Sequence, residues 1–373
     1  MAILVQLPSG SIIRGCLLEK NIGKTHVITP APRDVWERIC SIDPNCLIFQ
    51  TPAWTDAICS TGDYEDASRL YETASGRRWV LPLLRKKAAH PALTSQASLP
   101  AGWGLGGVLS NRPLNREMID TVFADLLQQP SLRMLIRPNP LASAAWEAAK
   151  PRGTTTLAFT SHILDISAGF EEVWKKRFHH PTRTSIRKAE RAGLTIEMDP
   201  SGQLLPAYYD IFTHWSMRRG RERHLPGVYT QWMLHRRDPY ARLEKMVRYS
   251  SGAGRVYVAR NGTRPIAAAI LFIYNQNAVY LRGTSIREEA GPLRANDLLQ
   301  CQMIRDACEA GCRYYHMGTS AGVESLMRFK HSFGAEPVDL YNYSLERLPI
   351  SHLVGMRDSL MRSLENQLIR IKI

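Results

Sequence analysis

The sequence predicts an α/β protein of two tandem domains, each a mixed, mostly antiparallel sheet flanked by helices. Its 373 residues correspond to two domains at roughly 150 residues each. The 44% hydrophobic and 22% charged fractions are typical of a globular protein with a substantial core, which excludes the disordered and fibrous classes. Short apolar runs alternate with amphipathic segments in both halves of the chain, which is the pattern of strands and helices.

In the first half, local sequence patterns predict the elements and the domain boundary. A glycine-rich stretch at 101–107 is followed by Asn111-Arg112-Pro113 rather than by a helix, so it is interpreted as a turn or bulge. The stretch 151–156 has the composition of a linker, which divides the chain into domains 1–155 and 156–348 and a tail, 349–373. The predicted elements are helices at 32–40, 118–127 and 143–150, a helix that opens within 49–54, and strands at 79–84 and 133–138.

The second half repeats the alternation of strand and helix patterns, and turn residues mark the ends of these elements more clearly. Asn261-Gly262 lies between two β-rich runs and predicts a hairpin. Gly193, Gly311 and Gly334 each follow an amphipathic segment and predict helix ends. The predicted strands are 161–165, 194–198, 255–260, 266–274, 278–283, 314–317 and 338–345, and the predicted helices are 186–191, 204–217, 229–236, 295–310 and 325–333.

The charge is the unusual feature of the composition. Lys and Arg number 48 and Asp and Glu 34, so the net charge is 48 − 34 = +14. Much of the excess lies in two windows of the second half. Residues 175–191 hold seven basic side chains against Glu190, and residues 218–223 hold four against Glu222. Localised positive charge favours a surface that binds a polyanion or a phosphate-bearing substrate, although two solvated faces would give the same pattern.

Other classes of protein are disfavoured. No run of 18 apolar residues is present, so no membrane-spanning helix is expected, and the N-terminal residues make a poor signal peptide. The seven cysteines form no CxxC and no spaced Cys/His set, so no metal site and no disulfide framework are expected. These features predict a reduced, cytoplasmic protein that is monomeric and holds no bound cofactor.

Three local signatures in the second half resemble a known superfamily. They are the stretch 183–194, the long helix with 296–299 and 307–311, and Gly318-Thr319-Ser320 followed by 328–337. Together they are similar to the Fem-type transferases and the related BioF2-like or CelD-like acyltransferases. The resemblance covers 160–345 well and the first half weakly, through Phe49-Gln50 and Trp54. It implies two tandem GNAT-like domains, an active site in the second domain, and a tail that packs back toward the first.

The resemblance also implies a reaction. Fem-type enzymes move an amino acid from aminoacyl-tRNA onto an amine, and other relatives use acyl-CoA. An amine attacks an ester or thioester carbonyl, and the oxyanion that forms needs hydrogen-bond donors or cations. Lys330, in the Arg-Phe-Lys-x-x-Phe-Gly motif, matches the family lysine that holds donor phosphates and the developing charge, with Phe329 beside it. Without the resemblance, Lys330 would be interpreted as a surface lysine of a helix.

Further candidate residues follow from the same resemblance. Arg223 and Tyr229 resemble a pair that grips an acceptor diphosphate, at a spacing two residues longer than in the family. Tyr280 is expected to hydrogen-bond the acceptor or intermediate, and Arg282 lies on the same strand face. Each is equally compatible with a packing role. His316 and His331 are the histidines nearest this predicted site in sequence, with a structural role favoured for both.

The basic window contributes a candidate surface for the donor. Arg183, Arg187 and Arg191 are four residues apart and would line one face of a helix. Lys175 and Lys176 precede them. We interpret these five residues as a patch for tRNA or for nucleotide phosphates.

Three functions stay open on the sequence alone. The first is amide formation from aminoacyl-tRNA onto an amine-bearing small molecule or peptide, for example a cell-wall precursor or a natural-product intermediate. The second is N- or O-acylation of a polysaccharide or metabolite by acyl-CoA. The third is nucleic-acid binding without catalysis. The first is favoured because 285–295 holds a single glycine, Gly291, where a coenzyme A-binding relative has a glycine-rich turn. The family's lysine after Trp54 is missing, which argues against a cell-wall nucleotide acceptor.

Overall fold

The computed structural model describes residues 18–88, 94–149 and 154–348. In the first half, the described residues form four helices close to the predicted ones and nine strands, where the sequence predicted strands only at 79–84 and 133–138. The strands are β1 Leu18–Ile22, β2 Thr25–Thr29, β3 Tyr64–Asp66, β4 Arg69–Thr73, β5 Arg78–Leu81, β6 Leu84–Lys86, β7 Ser95–Ala97, β8 Leu109–Ser110 and β9 Arg133–Ile136. The helices are α1 Arg33–Ile42, α2 Pro52–Cys59, α3 Arg116–Leu127 and α4 Ser143–Ala148, with short 3₁₀ turns at Ile48–Gln50 and Pro140–Ala142.

The second half contains longer elements. Its strands are β10 Thr155–Asp165, β11 Thr195–Asp199, β12 Gly254–Asn261, β13 Arg264–Tyr274, β14 Asn277–Ser285, β15 Tyr314–Thr319 and β16 Glu336–Glu346. Its helices are α5 Phe170–Glu172, which continues as a π-helix over Val173–Arg177, α6 His180–Arg191, α7 Leu205–Glu222, α8 Gly227–Arg237, α9 Tyr240–Arg248, α10 Arg287–Leu293, α11 Ala295–Glu309 and α12 Glu324–Ser332.

The described chain divides into two compact units. The first runs to Leu157 and also takes Tyr341–Leu348, and the second is Ala158–Leu340. The predicted domains, 1–155 and 156–348, differ from this division mainly at the second boundary. Residues after Leu340 belong to the first unit because β16 pairs there with β9, with Tyr343 opposite Ile136. The predicted tail, 349–373, lies outside the described residues.

The first unit contains an antiparallel sheet in the order β1-β2-β4-β5-β8 and a second set of paired strands, β9-β7-β6-β3. Strands β7 and β9 are parallel. The predicted strand 79–84 is two strands, because Pro82 has no N–H to continue the ladder. The core packs Trp79, Phe123, Trp146 and Tyr343 together, so its volume is filled mainly by aromatic rings.

The Phe49-Gln50 and Trp54 motif closes the glycine-rich stretch against α2. Gln50 is fully buried; its Oε1 accepts the N–H of Leu47 (3.0 Å), and its Nε2 donates to the carbonyls of Gly106 (3.3 Å) and Gly107 (3.2 Å). Trp54 Nε1 donates to the carbonyl of Trp103 at 3.0 Å. The stretch is the loop predicted from its glycines, and its role in this unit is structural.

The hydrogen bonds of Gln50 give a stability prediction. Gln50→Leu leaves two buried carbonyls and one buried N–H without partners, so we expect the free energy of unfolding to fall by about 2–3 kcal/mol. Urea unfolding of the full chain measures it. Gln128→Leu, at an exposed glutamine after α3, is the matched control and should change stability by less than about 0.5 kcal/mol. Equal effects of the two variants would contradict the argument.

The second unit is organised around β13. The sheet order is β11-β12-β13-β14-β15-β10, antiparallel except for the parallel pair β14 and β15. Ala267, Ala269 and Leu271 belong to the core cluster that includes α6 and α11. Since strand side chains alternate between faces, Ala268 and Ile270 point to the other face, where α7 packs on β13 and β14. The predicted α/β class and its helix-flanked mixed sheets are confirmed.

Some elements differ from the sequence prediction. Helix α6 begins six residues before the predicted start, with Pro181 in its first turn, where a missing N–H costs nothing. Helices α9 and α10 were not predicted. Helix α9 follows α8 after two residues, and α10 contains Pro292.

Within the described residues, no helix is long and apolar enough to cross a membrane. The same residues contain no group of His, Cys, Asp or Glu side chains that would hold a metal ion. Six cysteines lie in the described ranges, and none of them forms a disulfide there: Cys40, Cys46, Cys59, Cys301, Cys308 and Cys312.

Candidate active site

A cleft opens in the second unit where β14 and β15 stop pairing. Their parallel register runs only from Asn277, opposite Tyr314, to Val279, opposite His316. Immediately afterwards β14 bulges against β13, because Leu271 lies opposite Tyr280 while Ile270 lies opposite Arg282. A bulge bends its strand and raises the local twist, which separates β14 from β15. The backbone itself therefore makes the opening, at Tyr280.

The cleft has a volume of about 330 Å³, within the range of small-molecule sites. Its walls come from five elements: strands β13 and β14, helix α11, the exposed face of α12, and Trp215 of α7. The lining residues are Trp215, Ala269, Tyr280, Gly283, Thr284, Ser285, Asn296, Leu299, Gln300, Met303, Ser325, Leu326 and Phe329. Two predicted site residues, Tyr280 and Phe329, thus lie in one cavity.

The Tyr280 hydroxyl is held by the backbone of its own strand. It accepts the N–H of Gly283, and burial raises the pKa of Tyr280 to about 12. A Cβ at Gly283 would lie 2.2 Å from this hydroxyl oxygen, so only glycine permits the contact. The oxygen accepts from the backbone, and the pKa keeps the phenol protonated, so its O–H is a donor at neutral pH.

Lys330 is buried beneath the cleft and does not line the cavity itself. Its side chain is 4% exposed, and Nζ donates to the carbonyls of Gly318 (2.7 Å) and Thr319 (2.8 Å) at the end of β15. Burial lowers its pKa to about 8. The alternative interpretation of Lys330 as a surface lysine of a helix is therefore wrong, because the side chain is buried and two backbone carbonyls hold the ammonium group. Its role toward donor phosphates and the developing charge stays a prediction.

Gly318 connects Lys330 to Tyr280. It has a positive φ of 67°, and a Cβ there would lie 4.0 Å from the carbonyl oxygen of Tyr280. The Gly318 carbonyl accepts from Lys330, and Gly318 lies two residues beyond His316, the last residue of β15 that pairs with β14. The ammonium group is therefore held at the part of β15 that follows the separation of the strands.

His162 is a member of this group that the sequence did not reveal. It lies opposite Gly318 in the β10–β15 pairing and is 4% exposed. Burial is the main cause of its lowered pKa, and the Lys330 charge adds to it, so the imidazole is neutral at pH 7. Among the described residues its Nδ1 has no hydrogen-bond partner, nor do the hydroxyls of Ser161 and Ser320. No local motif signals His162, because its neighbours lie more than 150 residues away.

A comparison with protein-family models matches the part of the chain that contains this cleft. Residues 176–331 match the family model described as an acetyltransferase (GNAT) domain. The matched residues, 156 of the 373, lie within the second unit, which we call the GNAT domain after its fold. The gap between β14 and β15 is inside the matched residues, as are Tyr280 and Lys330. No curated protein matches the chain in sequence.

Solved structures extend the likeness to both units. The crystal structure of FemX has a TM-score of 0.61 at 14% identity, covering 87% of this chain and 98% of that chain. A conserved protein of unknown function from Bacteroides thetaiotaomicron VPI-5482 has a TM-score of 0.52 at 12% identity, covering 88% and 99%. At these identities the likeness concerns the fold: the chain has tandem units of helix-flanked mixed sheets, similar to the fold of FemX.

Other predicted residues of the GNAT domain lie outside the cavity lining. Arg282 forms an ion pair with Asp238 (3.0 Å) and lies over the Phe212 ring. Arg223 is exposed at the end of α7. Tyr229 stacks on Trp232 of the same helix, α8. The bulge in β14 places Arg282 opposite Ile270 and Tyr280 opposite Leu271, so the two side chains lie on different faces and the predicted shared face is wrong. The assignment of Arg282, Arg223 and Tyr229 to the acceptor stays a prediction.

Two histidines near the cleft have neighbours of their own. His316 is buried with Nε2 donating to Asn277 Oδ1 at 3.0 Å, and burial lowers its pKa to about 4. His331 packs edge-on against His179, with the ring centroids 4.9 Å apart. Both contacts are consistent with the structural roles favoured for these histidines.

Three residues of the predicted phosphate patch make local contacts within the protein. Arg183 donates to three backbone carbonyls at the end of the π-helix, the shortest being Phe178 at 2.5 Å. Lys175 and Lys176 pair with Glu171 and Glu172 one turn earlier. Arg183 therefore caps the preceding helix, and the three arginines do not form a free stripe.

The remaining two arginines of the patch stay exposed. Arg187 lies over the Trp174 ring at 5.7 Å, and Arg191 Nε donates to the carbonyl of Arg187. Neither contact neutralises a guanidinium charge. Both remain available to a polyanion.

The second basic window is adjacent to the cleft. Trp215 lines the cavity, and the guanidinium of Arg219 lies over its ring at 5.2 Å. Arg219, Arg221 and Arg223 are exposed at the end of α7, while Arg218 pairs with Glu222. A side chain of the wall thus connects the cavity to a cationic helix end, which we name the α7 tip (Arg219, Arg221 and Arg223).

Proposed function

We propose that the GNAT domain transfers an aminoacyl group from aminoacyl-tRNA to an amine, forming an amide. The cleft at the separation of β14 and β15 carries the proposal, because a hydroxyl donor and a buried ammonium group lie at the same break in the sheet. The amine nitrogen bonds to the ester carbonyl carbon, and the bond to the ribose oxygen breaks. The nitrogen loses a proton, and the ribose hydroxyl of tRNA regains one.

Each side chain at the cleft has a part in this step. The Tyr280 O–H donates to the oxyanion, a role that its raised pKa of about 12 supports. Lys330 stabilises the same charge through the field of its ammonium and fixes the carbonyls of Gly318 and Thr319. His162, neutral and buried beside them, is our candidate for the group that accepts the amine proton through water.

The α7 tip supports tRNA as the donor. Phosphate contacts from exposed arginines supply sequence-independent affinity, and the tip adjoins the cavity wall at Trp215. The segment before α11 folds as α10 with Glu288 and Glu289 in its first turn, where a coenzyme A-binding relative has a glycine-rich turn.

Acyl-CoA is the second candidate donor, favoured by the acetyltransferase description of the matching family. Incubation with labelled aminoacyl-tRNA or labelled acetyl-CoA and trial amines separates the two. We expect label transfer from aminoacyl-tRNA that ribonuclease abolishes. Transfer from acetyl-CoA alone would overturn the proposal, and bound RNA without turnover of either donor would favour a non-catalytic nucleic-acid-binding protein.

The α7 tip also gives a quantitative test. Arg219→Glu with Arg221→Glu reverses two exposed charges beside the cleft, so we expect KM for aminoacyl-tRNA to rise at least about tenfold and its salt dependence to flatten. Arg248→Glu, at an exposed arginine of α9, is the matched control and should change KM less than about twofold. An equal response of the two variants would remove the tip from the donor site.

A further inference from the structure

The first unit contains a cavity of its own, of about 700 Å³. It lies between the end of α1, the segment 108–116 that leads into α3, and helix α4. All its lining residues fall between Ile42 and Ala148, so it belongs entirely to the first unit. Nothing in the proposed transfer reaction uses it. A volume of this size is typical of a ligand site.

The walls of this cavity are mainly carbon. Helix α4 contributes small side chains, which leave the space open, and Ile42 is 53% exposed at the end of α1. The apolar lining residues are Ile42, Pro44, Val108, Leu109, Pro113, Leu114, Leu141, Ala142, Ala144, Ala145 and Ala148. Burial of an aliphatic chain here would remove this surface from water, at about 25 cal/mol per Å².

Two of the four asparagine side chains in the wall, Asn139 and Asn111, are held by backbone groups on both sides of the amide. Asn139 donates to the carbonyl of Asn45 (2.6 Å) and accepts the N–H of Leu141 (3.0 Å). Asn111 accepts the N–H of Arg78 (2.9 Å) and donates to the carbonyl of Gly76 (3.2 Å). These two amides are therefore not free to bind a polar ligand, whereas an alkyl chain needs no hydrogen-bond partner.

Charge is concentrated at the segment that enters α3. Arg112 and Arg116 both line the cavity and are both exposed, and Arg116 makes one surface ion pair, with Asp120. Asp43 is the acidic lining residue; it is 9% exposed, and its two oxygens accept the N–H groups of Asn45 (2.9 Å) and Ser110 (3.1 Å). The groups left for an ionic ligand are therefore the two guanidiniums, which suit a phosphate.

We propose that this cavity binds an amphiphile consisting of an aliphatic chain with a phosphate-bearing head. The chain lies along the alanines of α4, and the head lies at Arg112 and Arg116. Both a soluble acyl thioester of phosphopantetheine type and a lipid phosphate have this chemistry. The site does not depend on the transferase proposal, because its test is binding to the first unit and not turnover.

Isothermal titration of the full chain with dodecyl phosphate, below its micellar concentration, tests the proposal. We expect saturable 1:1 binding, and at least tenfold weaker binding of dodecyltrimethylammonium. Arg112→Ala with Arg116→Ala should weaken dodecyl phosphate at least tenfold, whereas Arg77→Ala, at an exposed arginine outside the lining, should not. Equal affinity for the two amphiphiles would overturn the proposal.

A second variant tests the apolar part. Ala148→Trp fills the cavity from an exposed helix position, so it should abolish binding while circular dichroism shows a folded chain. Retained binding would overturn the assignment. Titrations with lauroyl-coenzyme A and with lauroyl lysophosphatidic acid then distinguish the soluble from the lipid source by whichever binds more tightly. Failure of both to bind would contradict the proposal even if aminoacyl transfer is observed.

Discussion

Lys330→Ala is expected to lower the rate of transfer by about 10²–10³-fold, the usual cost of losing one group that stabilises an oxyanion. The variant removes the ammonium group and leaves the carbonyls of Gly318 and Thr319 without their donor. These carbonyls end β15 beside Tyr280, so both the charge and the shape of the cleft change. Steady-state label transfer measures the rate. Lys87→Ala, at an exposed lysine of the first unit, is the matched control.

The pH dependence of activity separates the effect of the Lys330 charge from the effect of the shape of the cleft. Wild-type activity should fall as pH rises through about 8, where Lys330 loses its proton, and Lys330→Arg should lack this limb because arginine stays charged. Between about pH 8 and pH 10.5, Lys330 is protonated in the unfolded chain and deprotonated in the folded chain. Wild-type stability should therefore rise over that window relative to Lys330→Met, by about 3 kcal/mol. A folded, fully active Lys330→Ala chain would contradict the assignment.

The fold was predictable wherever local signals agree with packing. The Asn261-Gly262 hairpin and the helix end at Gly311 appear where the sequence places them, because turn chemistry and apolar period act over a few residues. The split of 79–84 at Pro82 and the assignment of 341–348 to the first unit depend on strand pairing. Pairing joins β16 to residues 200 positions away, which no local pattern encodes.

The candidate site was predictable only in part, for the same reason. Tyr280 and Phe329, which the resemblance singled out, line the same cleft, and their roles there stay predictions. Burial of Lys330 and the contribution of His162 depend on how β10 and β15 pair. Arg183 has the four-residue spacing of a binding stripe, yet its donors are taken by helix-end carbonyls. Spacing shows which side chains share a face, and it does not show which backbone groups compete for them.

Gly283→Ala is expected to lower transfer by about 10²-fold and to reduce the free energy of unfolding by about 1–3 kcal/mol. The new Cβ would lie 2.2 Å from the Tyr280 hydroxyl and 3.2 Å from Cζ, so the ring must leave its position in the cleft. Label transfer and urea unfolding measure the two effects. Gly291→Ala is the matched control in the same domain, because no heavy atom lies within 4 Å of its added Cβ.

A double variant decides whether the Tyr280 hydroxyl is the cause. Tyr280→Phe alone removes the donor, and we expect a loss of activity of about tenfold to a hundredfold with little change in stability. In the Tyr280→Phe background, Gly283→Ala no longer meets the hydroxyl, so its stability cost should shrink by at least about 1 kcal/mol and activity should fall no further. An undiminished stability cost would show that the strain lies in the backbone of β14. A further loss of activity in the double variant would show that Gly283 has a role in the cleft apart from Tyr280.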